Sequence, residues 1–239
     1  LPYHPILQNP DIEFPYSERY ISNDHKKYHD FVFQQKDLII SSDLDYHPAY
    51  SDIPDYYGLI PNPIQLEKFE DSLPATTGKL VIFHGINEVN YYKKGNDHFE
   101  QALLKIKEKF PDRVKIISVS NLPYSEYLKS YNEAHILLDQ TYAQDQGYNA
   151  LEAMAQGKVV FTGAGSLFTK HYNLPLNSVA IHTIPDADKI AADLENLICN
   201  PELIRKIGKN ARKFIEDNHD CKKIAQQYIN AWLSLDIST

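Results

Sequence analysis

The sequence predicts an α/β fold, with a doubly wound parallel sheet preceded by an incomplete lobe. Three observations lead there. From Lys79 onward, short apolar runs alternate with segments whose apolar residues recur at helical spacing. The runs are apolar throughout rather than at every second position, as in strands covered on both faces. Composition also shifts: nine of the 14 prolines precede residue 75, whereas the glycines fall mainly after it. The expected organisation is therefore a lobe and linker over 1–74 and a sheet domain over 75–239.

The first 74 residues are rich in Pro and Tyr and weakly periodic. A helix is expected over 24–35, with Tyr28, Phe31 and Val32 on one face, and short strands over 38–41 and 58–61, closed by the turn signal Asn62-Pro63. So few regular elements read as the tail of a domain that begins upstream. The lack of an initiator Met agrees with a fragment or processed form, and Leu1-Pro2-Tyr3-His4-Pro5 does not resemble a signal peptide.

The regular part begins with a strand over 80–84, ending at Gly85. Phe99, Ala102, Leu103, Ile106 and Phe110 then mark a helix, and 114–119 the next strand. Ser125 is placed to cap a short helix running to Tyr131, with Glu126 in its first turn. A strand over 136–138 follows, then a helix over 147–156 stopped by Gly157, and strands over 159–161 and 179–184. Three helical patterns finish the chain, and the last, over 221–235, carries Trp232 and is expected to pack back on residues 1–74.

Composition excludes several classes. The balance of 43% hydrophobic and 23% charged residues is that of a globular domain. No apolar run approaches the ~20 residues of a membrane helix. A net charge of −8 argues against nucleic acid as the main partner. Cys199 and Cys221 read as free thiols in a reducing, cytoplasmic setting.

Ligands of parallel sheets bind at the carboxyl ends of the strands, so function is sought just after residues 84, 119, 138 and 161. After the first strand, Gly85 admits close approach to the backbone. Asn87, Lys93 and Lys94 follow in the loop, and Lys94 lies beside a helix start suited to a diphosphate. Lys93 and Lys94 read equally as a solvated pair. After the third strand, a polar loop with Gln144 and Asp145 runs into Gly147, Tyr148 and Asn149 at a helix start, whose backbone N–H groups suit an anion. Glu152 lies deeper in that helix among small apolar residues, where ligand hydroxyls would offset its burial, although an exposed helix Glu is the ordinary case.

The stretch Gly147-Tyr148-Asn149-Ala150-Leu151-Glu152-Ala153-Met154-Ala155-Gln156-Gly157-Lys158-Val159-Val160 resembles the signature of retaining GT-B glycosyltransferases of group 1. That signature is Glu, seven residues, Glu, then Ala-Met-Ala-x-Gly-x-Pro-Val. Lys94-Gly95 resembles the same family's Lys-Gly step, and Asn62-Pro63-Ile64 its Pro-Asn-Gly-Val entry into the donor domain. The resemblance covers residues 36–235. It implies a Rossmann-like donor domain and sugar transfer from a UDP- or GDP-sugar to a glycan, lipid or polysaccharide-precursor acceptor, without a metal or other cofactor. It implies that Glu152 holds the ribose and that Lys94 and the backbone of Gly147, Tyr148 and Asn149 meet the diphosphate. Asn121 and Leu122 would lie by the base, and Gln144, or Asp145 one residue on, would stand where the family has its first Glu.

Two departures stand out. Gln144 is uncharged, and Ile86-Asn87-Glu88 occupies the region where the family carries an arginine. A nucleotide-sugar-binding module without catalysis is therefore the alternative, and this chain alone is expected to bind its donor without turning it over. A peripheral contact at the inner face of a membrane, through the preceding domain, stays open as a further partner.

Other signals carry less. Thr162-Gly163-Ala164-Gly165-Ser166 is an incomplete dinucleotide fingerprint and leaves an oxidoreductase as a weaker alternative. Asp43-Leu44-Asp45 resembles the metal-binding Asp-x-Asp of GT-A enzymes. His25 and His29 lie one helical turn apart, and Arg205, Lys206, Lys209, Arg212 and Lys213 form a basic helix face.

Overall fold

A computed structural model describes residues 22–70 and 78–236. The 74/75 boundary expected from composition lies outside the described residues. The chain divides into two compact units, one of Leu1–Pro63 with Lys222–Thr239, the other of Ile64–Cys221.

In the first unit, helix α1 (Asn23–Gln34) starts at Ser22, whose hydroxyl accepts the His25 N–H at 3.3 Å. The face carrying Tyr28, Phe31 and Val32 is exposed rather than buried. Strand β1 (Ile39–Ser41) pairs in parallel with β2 (Tyr56–Leu59) across the short helix α2 (His47–Tyr50). β2 begins two residues earlier than its apolar run suggests, because Tyr56 already pairs with Ile39 and Pro61 has no N–H to extend the ladder. Ile60, Leu38 and Ile40 pack with Ile224, Tyr228 and Ala231 of the last helix.

The second unit carries a five-stranded sheet of β3 (Leu80–Ile86), β4 (Val114–Ser120), β5 (Ile136–Leu138), β6 (Val159–Thr162) and β7 (Ile181–His182). Its order is β4-β3-β5-β6-β7 and every pairing is parallel, so the doubly wound expectation holds. β7 is shorter than expected; Thr183 still donates to Thr162 O at 3.0 Å, but Ile184 has turned to solvent.

Helices cover the sheet: α3 (Tyr91–Lys94), α4 (Asn96–Lys109), α5 (Tyr124–Glu133), α6 (Tyr148–Ala155), α7 (Ser166–Tyr172), α8 (Ala187–Cys199) and α9 (Pro201–Asn218). The terminal helix α10 (Cys221–Asp236) follows. Leu80, Ile82, Ile136, Leu138, Val159 and Phe161 meet Phe99, Leu103, Ile106, Leu194 and Leu197 in one continuous core. One expectation needs correction: α5 starts at Tyr124, one residue before Ser125, with no side-chain cap. Lys94 does lie beside a helix start, since α4 follows at Asn96, and it also closes the short helix α3. Among the described residues no helix is long and apolar enough to cross a membrane.

Candidate functional site

β3 and β5 are neighbours, yet the chain leaves β3 toward β4 and leaves β5 toward β6. Connections that diverge in this way open a crevice at the carboxyl ends of the two strands. His84 and Leu138 are paired there.

The wall after β3 is built around a buried imidazole. Asn96 Nδ2 donates to Tyr91 O at 3.0 Å, so Asn96 Oδ1 is the acceptor for His84 Nε2 at 2.8 Å. Burial lowers the His84 pKa, which favours the neutral ring and makes Nδ1 a buried acceptor with no partner among the described residues. Gly85 is closely packed on the side a Cβ would take. A Cβ there would stand 3.0 Å from the Phe83 ring and 3.1 Å from the Tyr127 ring, so the glycine makes room for aromatic packing. Asn87 accepts the Val89 N–H at 3.1 Å and caps a short turn, and Lys93 projects into solvent.

Lys94 is different. Its ammonium lies 2.8 Å from Asp139 Oδ1 at the end of β5, a carboxylate whose side chain is 1% exposed. Asp139 Oδ2 accepts from Thr162 Oγ1 at 3.2 Å, and Lys94 O accepts the Thr141 N–H at 3.0 Å. The loops after β3 and β5 are therefore joined by an ion pair and a backbone bond. Gly95, at φ +69°, makes this possible: a Cβ there would lie 2.0 Å from Thr141 Oγ1.

The loop from Asp139 to Gly147 is pinned along its length. Gln140 Nε2 donates to Asp145 O at 3.1 Å, and Gln146 Nε2 donates to Gly163 O at 2.6 Å. Asp145 is buried, and its carboxylate accepts the Gln146 N–H at 2.9 Å, so it holds the loop's own backbone. Gln144 is half-buried. At the end of the loop, Gly147 is the N-cap of α6 with no side-chain cap, and a Cβ on it would meet nothing within 4 Å. Tyr148 is half exposed beside it. Among the described residues no side chain caps the first N–H groups of α6.

Asn149 faces the other way. Its Oδ1 accepts from Tyr127 Oη at 2.8 Å and its carbonyl from Tyr131 Oη at 2.9 Å, so α5 fastens the first turn of α6. Glu152 is half-buried, and burial raises its carboxyl pKa against the opposing pull of Lys68. Lys158, in the same motif, is 1% exposed and donates to Ala134 O at 2.8 Å and Asn132 O at 3.1 Å. It serves as a cationic cap on the last turn of α5. Asn121, at φ +53°, and Leu122 are exposed at the end of β4, and the structure does not join them to the other candidates.

Asp43 folds back on its own turn, accepting the Asp45 N–H at 3.0 Å, and burial raises its pKa. Among the described residues no group of three or more His, Cys, Asp or Glu is arranged to hold a metal ion. Sequence reasoning missed Asp139, Thr141, Tyr127 and Tyr131. The spacing of Tyr127 and Tyr131 by one helical turn was the available signal for the last two.

A family model described as glycosyl transferase-like matches residues 83–230. The chain belongs to this family of group 1 GT-B glycosyltransferases. Solved structures of glycosyltransferases share its fold. Sucrose-phosphate synthase from Thermosynechococcus elongatus is 17% identical, with a TM-score of 0.66 over 93% of this chain and 65% of that one. A TarM variant from S. aureus is 16% identical, with a TM-score of 0.65 over 93% and 48%. HepE from Anabaena, crystallised with UDP and glucose, is 15% identical, with a TM-score of 0.66 over 97% and 70%. The chain thus spans less than two thirds of the length of the first two glycosyltransferases. No curated protein matches the sequence.

Proposed function

We propose that this chain binds the donor of a glycosyltransferase that moves a sugar from a UDP- or GDP-sugar to an acceptor. The observation that carries the reading is the N-terminus of α6, which no side chain caps among the described residues, preceded by a pinned loop to which Lys94 is tied by the Thr141 N–H and Asp139. A helix start with no side-chain cap and a lysine tied to the loop before it would suit a diphosphate. Glu152, one turn further in and penalised by burial, would gain from ribose hydroxyls. Nucleotide binding by the neighbour HepE, which was crystallised with UDP and with UDP-glucose, supports a uridine donor.

In transfer, the departing diphosphate would be stabilised by Lys94 and the α6 N–H groups, with no metal and with retention of configuration. UDP or GDP should raise the melting temperature of the 239-residue chain, and Glu152→Ala should abolish the shift. No shift with either nucleotide would refute the donor site.

One observation favours a binding role without catalysis. Asp145, the carboxylate nearest to the family's first Glu, is committed to the Gln146 N–H, and Gln144 beside it is neutral. Release of free or transferred sugar from UDP-glucose, lost in Lys94→Ala, would decide for a transferase.

A further inference from the structure

The ion pair between Lys94 and Asp139 gives the site a property that diphosphate binding alone does not require. Asp139 is almost wholly enclosed and rigidly held, by its own backbone bond to Phe161 O at 3.0 Å and by Thr162 Oγ1. Lys94 is a quarter exposed, so one side of the ammonium meets the carboxylate while another meets solvent. The nearby Lys93 makes no ion pair among the described residues and points away into solvent. Lys94, the cation that ties the two loops of the crevice together, is thus already paired with a buried anion.

We propose that Asp139 is a resident counter-ion, a positioning residue that holds Lys94 in place and competes with the donor's diphosphate for its charge. The proposal rests on the donor-site reading above. A diphosphate reaching Lys94 gains the ammonium but also meets the Asp139 charge behind it, so the net attraction is weak and the nucleoside diphosphate left after transfer is easily released. The geometry favours this over a purely structural pair. A pair made only to bind two elements gains nothing from leaving its cation a quarter exposed at the end of the strands, and the backbone bond from Thr141 to Lys94 O already joins the two loops.

The test is Asp139→Asn in the 239-residue chain, titrated calorimetrically with UDP and GDP. Asparagine keeps the shape and removes the charge: its Oδ1 can still accept from Lys94, while its Nδ2 would donate to the Thr162 hydroxyl. The dissociation constant of the bound nucleotide should fall about tenfold, the scale of one unit charge at a partly solvated site. Its dependence on salt should steepen as well. Unchanged or weaker binding by a folded Asp139→Asn protein would overturn the proposal and leave the donor site standing.

A second measurement needs no variant. In the wild type, raising salt from about 50 to about 500 mM should weaken UDP or GDP binding by less than about threefold, because the charge is already balanced. A loss of tenfold or more would refute the counter-ion even if Asp139→Asn failed to fold. Failure of the wild type to bind either nucleotide would remove the donor-site reading and this proposal together.

Discussion

Gly95 is where backbone conformation and site geometry meet, and Gly95→Ala should expose the connection. Gly95 sits at φ +69°, a region that costs a non-glycine residue about 1–2 kcal/mol. The added methyl would also lie 2.0 Å from Thr141 Oγ1, 3.1 Å from its Cβ and 3.2 Å from its Cγ2. Thr141 is buried and branched at Cβ, and its N–H is bonded to Lys94 O, so it has little room to turn away. Overpacking of this kind costs about 1–3 kcal/mol. The total is about 2–5 kcal/mol, which lowers the melting temperature by roughly 5–15 °C in a domain of this size. Unfolding should be followed by far-ultraviolet circular dichroism, because the single tryptophan, Trp232, belongs to the other unit. In a Thr141→Gly background the steric part vanishes, and Gly95→Ala should cost only the conformational 1–2 kcal/mol or so. Gly147→Ala, at φ −80° with nothing within 4 Å, is the control and should cost no more than about 1 kcal/mol. An equal cost for Gly95→Ala in both backgrounds would refute the contact argument.

Two further predictions concern buried charge. Burial pushes the Lys158 ammonium down to about 8 from 10.5, so between these values the unfolded chain holds a proton that the folded chain has released. Stability attributable to this group should therefore rise with pH across that window, by up to about 3 kcal/mol. Urea titrations at pH 7.5 and pH 10 should show that increment in the wild type relative to Lys158→Met; parallel pH profiles would sink the assignment. Glu152 has the opposite proton preference. Burial raises its pKa, so the folded state takes up the proton first, and the group costs stability once ionised. Glu152→Gln should be slightly stabilising at pH 7, by no more than about 0.5 kcal/mol, with the gain shrinking as pH falls through the raised pKa. A gain that grows toward low pH would contradict this.

Much of the second unit was legible because burial imposes periodicity. The runs 80–83, 136–138 and 159–161 are apolar at every position, since each strand is covered on both faces, and all three occupy the centre of the parallel sheet. Helix α6 was readable from Gly147 and Gly157, because a helix start and a left-handed stop each favour particular residues. Where periodicity is weak, the reading slipped. Tyr28, Phe31 and Val32 share a helical face that lies open, and Ser125 met the rule for a cap but lies inside a helix that starts at Tyr124.

The sequence by itself determined the sheet, its covering helices and the residues at the strand ends, because strand burial and helix termini restrict residue type locally. Only the tertiary structure decided which of those residues act on one another. Lys94 and Asp139 are 45 positions apart and meet because β3 and β5 are neighbours. Asp145 turns to the backbone of its own loop, and Gly85 is filled by the Tyr127 ring while Gly147 stays open. The physical reason is that a polar side chain in a loop carries no periodic signature. Its partner is set by which strands pair and how deeply each atom is buried, and those are properties of the assembled fold.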